Sequence, residues 1–197
     1  DYYGRWKAAQ YYARKAFDKI LVSPYVHNDS LSVNIVSDIL KPTKGIFVMK
    51  VMTLDGKILT EKKMELNVKG NASTKLFELR LDQLLKGEKK GNVVFYTAFN
   101  TKGKTYDNIA YAVKQKDMNY PHADILKQIV PIANGFKITL WSSSFVRAVF
   151  VQVDDIKSFF SDNYFDLLPK RKITVVLRTS LSKEDIQKTL TIQSLAE

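Results

Sequence analysis

Two hydrophobic periods divide this chain, and the switch between them limits the folds open to it. From Gly4 to Lys19 the apolar residues Trp6, Ala9, Tyr12, Ala13, Ala16, Phe17 and Ile20 recur at helical spacing, with Lys7, Gln10, Arg14, Lys15 and Asp18 off that stripe. After Leu21 the period falls to two and stays there. Leu31, Val33 and Ile35 alternate with polar or smaller neighbours, as in a half-buried strand. One helix cannot bury an aromatic-rich stripe alone, so its partner is either the domain that follows or a part of the protein outside this sequence. A helix without an initiator Met, followed only by β-patterned sequence, predicts the C-terminal portion of something larger.

The β-patterned region falls into two series. In the first, Ile46 to Met52 runs to Asp55-Gly56 and Ile58 to Val68 returns. Asp-Gly between apolar runs is a strong hairpin signal, and a type I′ turn is expected there. Leu76, Leu79 and Leu81, then Val93 to Phe99, then Tyr106 to Val113 supply further strands, with Asn100 to Gly103 as a turn. Lys114 to Asn119 is polar and Tyr120-Pro121 is a poor place to continue a strand, which sets a boundary. The second series runs through Ile125 to Ile132, an Asn134-Gly135 turn, Phe136 to Trp141, Phe145 to Val153, Tyr164 to Leu168, Ile173 to Leu177 and Ile186 to Leu195. The fold class is therefore mainly β: two immunoglobulin-like antiparallel β-sandwiches preceded by one N-terminal α-helix, with divisions at 1–19, 20–115 and 116–197.

Composition narrows the chemistry. There is no cysteine, so disulfides, thiolate metal sites and a Cys nucleophile are excluded. With only His27 and His122, neither a His-based metal site nor any cofactor is expected. The formal net charge of +11 invites a nucleic-acid reading, but the cations are mostly scattered lysines. Lysines on strand faces and edges serve solubility and block edge pairing, so a solvated basic surface is expected and no nucleic-acid partner. Lys170-Arg171-Lys172 is the one compact cationic spot, in an expected turn. No apolar run approaches the ~18 residues of a membrane span.

No motif marks catalysis. Asp154-Asp155, Asp162 and Asp166 form the densest acidic cluster, yet neighbours on a strand point to opposite faces, and Asp162 with Asn163 suits a turn. Ser142-Ser143-Ser144 lacks the glycines of a nucleophile elbow. Aromatic faces stack on pyranose rings, which makes Trp141, Tyr164 and Phe165 candidates for a sugar platform, along with Tyr2, Tyr3 and Trp6. Trp141, at the end of an alternating strand, is expected to fill the core of its sandwich.

Two stretches carry a family resemblance. Asp1-Tyr2-Tyr3-Gly4-Arg5-Trp6-Lys7-Ala8 with Tyr11-Tyr12 resembles the last barrel helix of the β-mannosidases of glycoside hydrolase family 2. Phe160-Ser161-Asp162-Asn163-Tyr164-Phe165-Asp166-Leu167-Leu168-Pro169 resembles a motif in their final immunoglobulin-like domain. The family often has Gly after that Pro; Lys170 stands here, and a different turn is expected. The resemblance implies a retaining exo-enzyme, periplasmic or secreted, that removes terminal β-mannose with two glutamates of a (β/α)8 barrel. The acid/base Glu of the family follows an Asn, and this chain has no Asn-Glu dipeptide. It implies that the chain itself is non-catalytic, that 1–19 is the last barrel helix, and that the sandwiches pack against and stabilise that barrel. Tyr2 or Tyr3 would then border the substrate pocket, since barrel sites form from the loops after the strands. A carbohydrate-binding module for mannan-type glycans is the alternative.

Overall fold

The computed structural model describes residues 5–195. The chain forms two compact units: Lys15 to Asn119, and the residues through Arg14 together with those from Tyr120 onward. The opening helix α1 (Ala8–Ala16) is shorter at both ends than the apolar spacing predicts.

The unit from Lys15 to Asn119 is a seven-stranded sandwich. Strands β1 (Ile20–His27), β2 (Ser30–Ser37), β3 (Thr43–Thr53), β4 (Ile58–Val68), β5 (Ala72–Arg80), β6 (Val93–Asn100) and β7 (Thr105–Tyr111) form two antiparallel sheets, ordered β1-β2-β5 and β4-β3-β6-β7. Leu31, Val33, Phe47, Phe95 and Phe99 are sealed in the core between them. Sequence periodicity alone misses β1, because Pro24 interrupts its apolar run. An edge strand tolerates proline, and β1 is an edge. Its hairpin closes through Asn28 and Asp29, both at positive φ (47° and 54°), the requirement of a type I′ turn.

The Asp55-Gly56 hairpin exists but with a different turn. Only Gly56 has positive φ (94°). Its N–H bonds the Thr53 carbonyl at 3.0 Å, and Thr53 N–H bonds the Lys57 carbonyl at 2.9 Å. That is a three-residue loop closed by a left-handed glycine, not a two-residue type I′ turn. Leu81, expected at the end of a strand, instead opens helix α2 (Leu81–Leu85), where Leu81, Leu84 and Leu85 are buried at helical spacing.

The second sandwich comprises β8 (Leu126–Ile132), β9 (Gly135–Trp141), β10 (Val146–Gln152), β11 (Phe159–Phe160), β12 (Phe165–Leu167), β13 (Ile173–Arg178) and β14 (Thr191–Gln193). Its sheets are ordered β11-β13-β9-β8 and β12-β10-β14. Ile138, Leu140, Val149, Val151, Leu167, Val175 and Leu177 form its core. Gly135 opens β9 at φ 134°, and a Cβ there would lie 2.0 Å from the Leu177 carbonyl oxygen. Close backbone approach is why this position holds glycine.

Three expectations are corrected here. Ile186 to Leu195 is not one strand: helix α3 (Lys183–Thr189) precedes the short β14. Ser182 starts the helix, accepting the Asp185 N–H at 3.1 Å while the Asp185 carboxylate accepts the Ser182 N–H at 3.3 Å. Local capping overrides the strand reading, and Ile186 still reaches the core. Trp141 does not fill the core. Phe136, Ile138 and Leu140 point inward, so Trp141 falls on the outer face, with Lys172 Nζ 4.8 Å from its ring centre. The third concerns Lys170. Arg171 N–H bonds the Leu168 carbonyl at 3.1 Å, placing Pro169 and Lys170 at the centre of a β-turn. Lys170 has φ 62°. Positive φ after a proline is the type II pattern that glycine favours, so the turn is the one a glycine would make, held by a lysine.

A left-handed non-glycine residue costs roughly 1–2 kcal/mol, and the unfolded-state entropy of a glycine returns about 0.5–1 kcal/mol of that. Lys170→Gly should therefore stabilise the chain by about 0.5–1 kcal/mol in urea unfolding. A neutral or destabilising result would show that the lysine side chain contributes there.

Candidate functional site

The two stretches singled out in the sequence meet. Between β11 and β12, each at the edge of its own sheet, the segment from Phe160 to Phe165 crosses the open side of the sandwich. Asn163 holds it there. The buried amide accepts the Val151 N–H at 2.8 Å and donates to the Val151 carbonyl at 2.7 Å. Val149 pairs with Phe165 in the β10–β12 ladder, so the Asn163 side chain supplies the next rung after the backbone has turned away. Its Oδ1 also accepts the Tyr164 N–H at 3.0 Å, which supports the left-handed φ of 55° at Tyr164. Asp162 accepts the Asn163 N–H at 2.9 Å. Both residues thus serve the turn, in keeping with their residue types.

Asp166 anchors the other end. Its side chain is 9% exposed, pairs with the Arg147 guanidinium and accepts the Ala148 N–H at 2.9 Å. Ala148 sits at φ 50° in a bulge of β10, where the register shifts between Val146 and Val149. Removing one partner of such a pair would leave a buried charge uncompensated.

On this braced segment rests α1. The Tyr11 ring is buried, and its hydroxyl donates to the Phe160 carbonyl at 3.3 Å across 149 residues of sequence. The Tyr12 hydroxyl donates to the Tyr164 carbonyl at 2.8 Å. Arg14 lies 3.4 Å from the Asp162 carboxylate, and its guanidinium stands 5.4 Å from the Trp6 ring centre. Trp6 meets Tyr11 and Phe159 edge-on at 5.3 and 5.6 Å, and Tyr164 stacks on Phe150 at 4.7 Å. Burying one ring like that of Tyr11 is worth about 2 kcal/mol, more than the exposed Arg14–Asp162 pair can add.

The helix is held by Tyr11, off its apolar stripe, together with Trp6 and Tyr12 of the stripe. Tyr11, off that stripe, is its one buried residue among those described. Trp6, Ala9, Tyr12 and Ala16 remain exposed, and Phe17, just past the helix, is 87% exposed. The residue spacing finds the amphipathic helix but not Tyr11 as its buried anchor.

The sugar-platform candidates do not come together. Phe165 is 4% exposed within the core, which removes its ring as a surface. Trp141 lies on the outer face of β9, and the ring of Tyr164 is engaged with Phe150 and Tyr11. Tyr2 and Tyr3 lie outside the described residues. Sequence reasoning passed over Phe159, Phe150 and Tyr11 as site residues; ordinary apolar positions in strands and helices give no signal of their meeting. Among the described residues, no cluster of three or more His, Asp or Glu is placed to hold a metal ion, and no helix is long and apolar enough to cross a membrane.

Asn163→Ala would leave the Val151 N–H and carbonyl without partners, at about 2–4 kcal/mol. Urea unfolding should show that loss, and hydrogen exchange in α1 should rise; unchanged stability would mean the segment does not depend on the amide. The seam is also pH-sensitive on the alkaline side. Burial raises the Tyr11 and Tyr12 pKa values above the ordinary 10.0, with Asp162 and Asp166 adding to the shift. A phenol raised in the folded state stabilises it fully below its unfolded pKa, and that contribution is lost as pH rises through the raised value. Between pH 9 and 12, the last of the ten tyrosines to ionise should do so together with a change in Trp6 fluorescence. Ionisation of all ten at the ordinary pH, with no fluorescence change, would contradict a tyrosine-latched helix.

Comparison with known proteins places this geometry. Residues 29–117 match the family model described as the mannosidase Ig/CBM-like domain, and residues 120–197 match the mannosidase Ig-fold domain. The β-mannosidase of Capra hircus is 25% identical over 100% of this chain, and β-mannosidase A of Neosartorya fischeri is 24% identical over 99%. The chain spans 23% of the length of each of these relatives. Among solved structures, the β-D-mannosidase of Dictyoglomus thermophilum shares the fold with a TM-score of 0.85 at 20% identity, over 99% of this chain and 24% of that one. The exo-chitosanase of Amycolatopsis orientalis gives 0.61 at 15% identity, over 94% of this chain and 26% of that one. Matched in tandem by two mannosidase domain families, this chain belongs to the immunoglobulin-like region of the β-mannosidases.

Proposed function

We propose that the chain is a non-catalytic accessory region of a β-mannosidase-type glycoside hydrolase, and that it stabilises the catalytic barrel of the parent by packing against it through α1. The observation that carries this reading is the part of the apolar stripe left exposed on a helix that is already anchored. Ala9, Ala16 and, just past the helix, Phe17 face solvent while Tyr11, Tyr12 and Arg14 hold the helix to the sandwich. A helix with apolar residues on two sides suits a position between two bodies, and the relatives are roughly four times longer than this chain. The small residues Ala9 and Ala16 allow close approach of another element. On this reading the segment 1–19, with α1 in it, comes from the end of the barrel. The sandwich that grips it serves as a brace, and hydrolysis of terminal β-mannosides belongs to the parent.

The test compares the 197-residue chain with its full-length parent. Ala9→Glu and Ala16→Lys place charges on the outer stripe with signs that suit the helix dipole. In the 197-residue chain the double variant should change stability by no more than about 0.5 kcal/mol. In the parent it should cost about 3 kcal/mol or more, because charges would enter a packed interface without partners. Equal, small effects in both would rule out packing through this face.

A further inference from the structure

Beside Trp6, the start of the helix and the second sandwich leave a cleft of about 520 Å³. That volume suits a small ligand. One wall is apolar, formed by Trp6, Phe159 and Ile156, with Trp6 37% exposed. Tyr11, Phe150, Val151, Val153, Phe160 and Tyr164 extend that apolar surface, and Arg5, Lys7 and Lys157 add cations and Gln152 an amide. The one carboxylate among the described lining residues, Asp155, is occupied within its own loop. It accepts the Lys157 N–H at 3.0 Å, the Ser158 hydroxyl at 2.6 Å and the Thr179 hydroxyl at 3.4 Å. The Lys7 and Lys157 ammonium groups form no ion pair with a described residue. The cleft therefore joins an aromatic wall to an excess of positive charge.

We propose that this cleft binds an anionic sugar unit, a hexuronate or a hexose phosphate. The C–H face of a pyranose packs against the Trp6 and Phe159 rings, its hydroxyls bond the Gln152 amide, and its anionic group sits between Lys7 and Lys157. A bare anion would leave the apolar wall wet and the Gln152 amide unused. The assignment stands on the cleft alone and is independent of the accessory role proposed above.

The test is an NMR titration of the 197-residue chain with four probes: glucuronate, mannose 6-phosphate, mannose and inorganic phosphate. Saturable shifts confined to residues 5–7 and 152–159 are expected with glucuronate, mannose 6-phosphate or both; which of them binds identifies the anionic group. Mannose and inorganic phosphate should each bind at least about tenfold more weakly, and added salt should weaken the anionic sugars. Trp6→Ala should abolish binding but also loosens α1. Lys157→Ala, away from the helix, is the cleaner variant and should weaken binding about three- to tenfold. The proposal is overturned if mannose binds as well as the anionic sugars, if inorganic phosphate matches mannose 6-phosphate, if no probe saturates, or if Lys157→Ala changes nothing.

Discussion

The hydrogen bonds of one strand residue set the terms for the second unit. Val151 lies in the core with its N–H and carbonyl turned toward a gap, because the neighbouring strand has already left the ladder. Buried backbone groups without partners are costly, and the Asn163 amide satisfies both at once. That exchange holds the crossing segment against the sandwich. With it held, the Phe160 and Tyr164 carbonyls point outward as acceptors, and Tyr11 and Tyr12 of the helix donate to them. The aromatic contacts of Trp6, Tyr11, Phe159, Tyr164 and Phe150 then complete the seam.

Strain and its support are arranged around the same place. Ala148 and Tyr164 both adopt left-handed backbone, which costs about 1–2 kcal/mol each for residues with a side chain. Each is held by an acidic or amide side chain that bonds its N–H: Asp166 for Ala148 and Asn163 for Tyr164. The bulge at Ala148 bends β10 and brings Arg147 to Asp166. These residues serve one physical requirement of the seam: each side chain satisfies a backbone group that the irregular path would otherwise leave bare.

Much of the fold was legible because it is local. Period-two alternation located most of the strands, and Asp-Gly marked a hairpin even though its turn type differed. The failures have local causes too. Pro24 hid β1, and the run from Ile186 to Leu195 fits a strand until the Ser182–Asp185 cap is weighed. Leu81 belongs to an apolar series that serves strand and helix equally well. Lys170 shows the limit in another form: a residue type can change while the backbone keeps the conformation that glycine would have chosen.

The sequence by itself determined two β-patterned domains after an amphipathic helix, and it marked Asp1 to Tyr12 and Phe160 to Pro169 as unusual stretches. It did so because periodicity and turn chemistry are properties of neighbouring residues. Only the tertiary structure decided that the two stretches meet, that Tyr11 and not the apolar stripe is buried, and that Trp141 faces outward while Phe165 faces in. The contacts responsible join residues about 150 positions apart, as between Tyr11 and Phe160 at a separation of 149. No local pattern encodes such a pairing; it follows from where two sheet edges leave backbone groups unpaired and apolar surface uncovered.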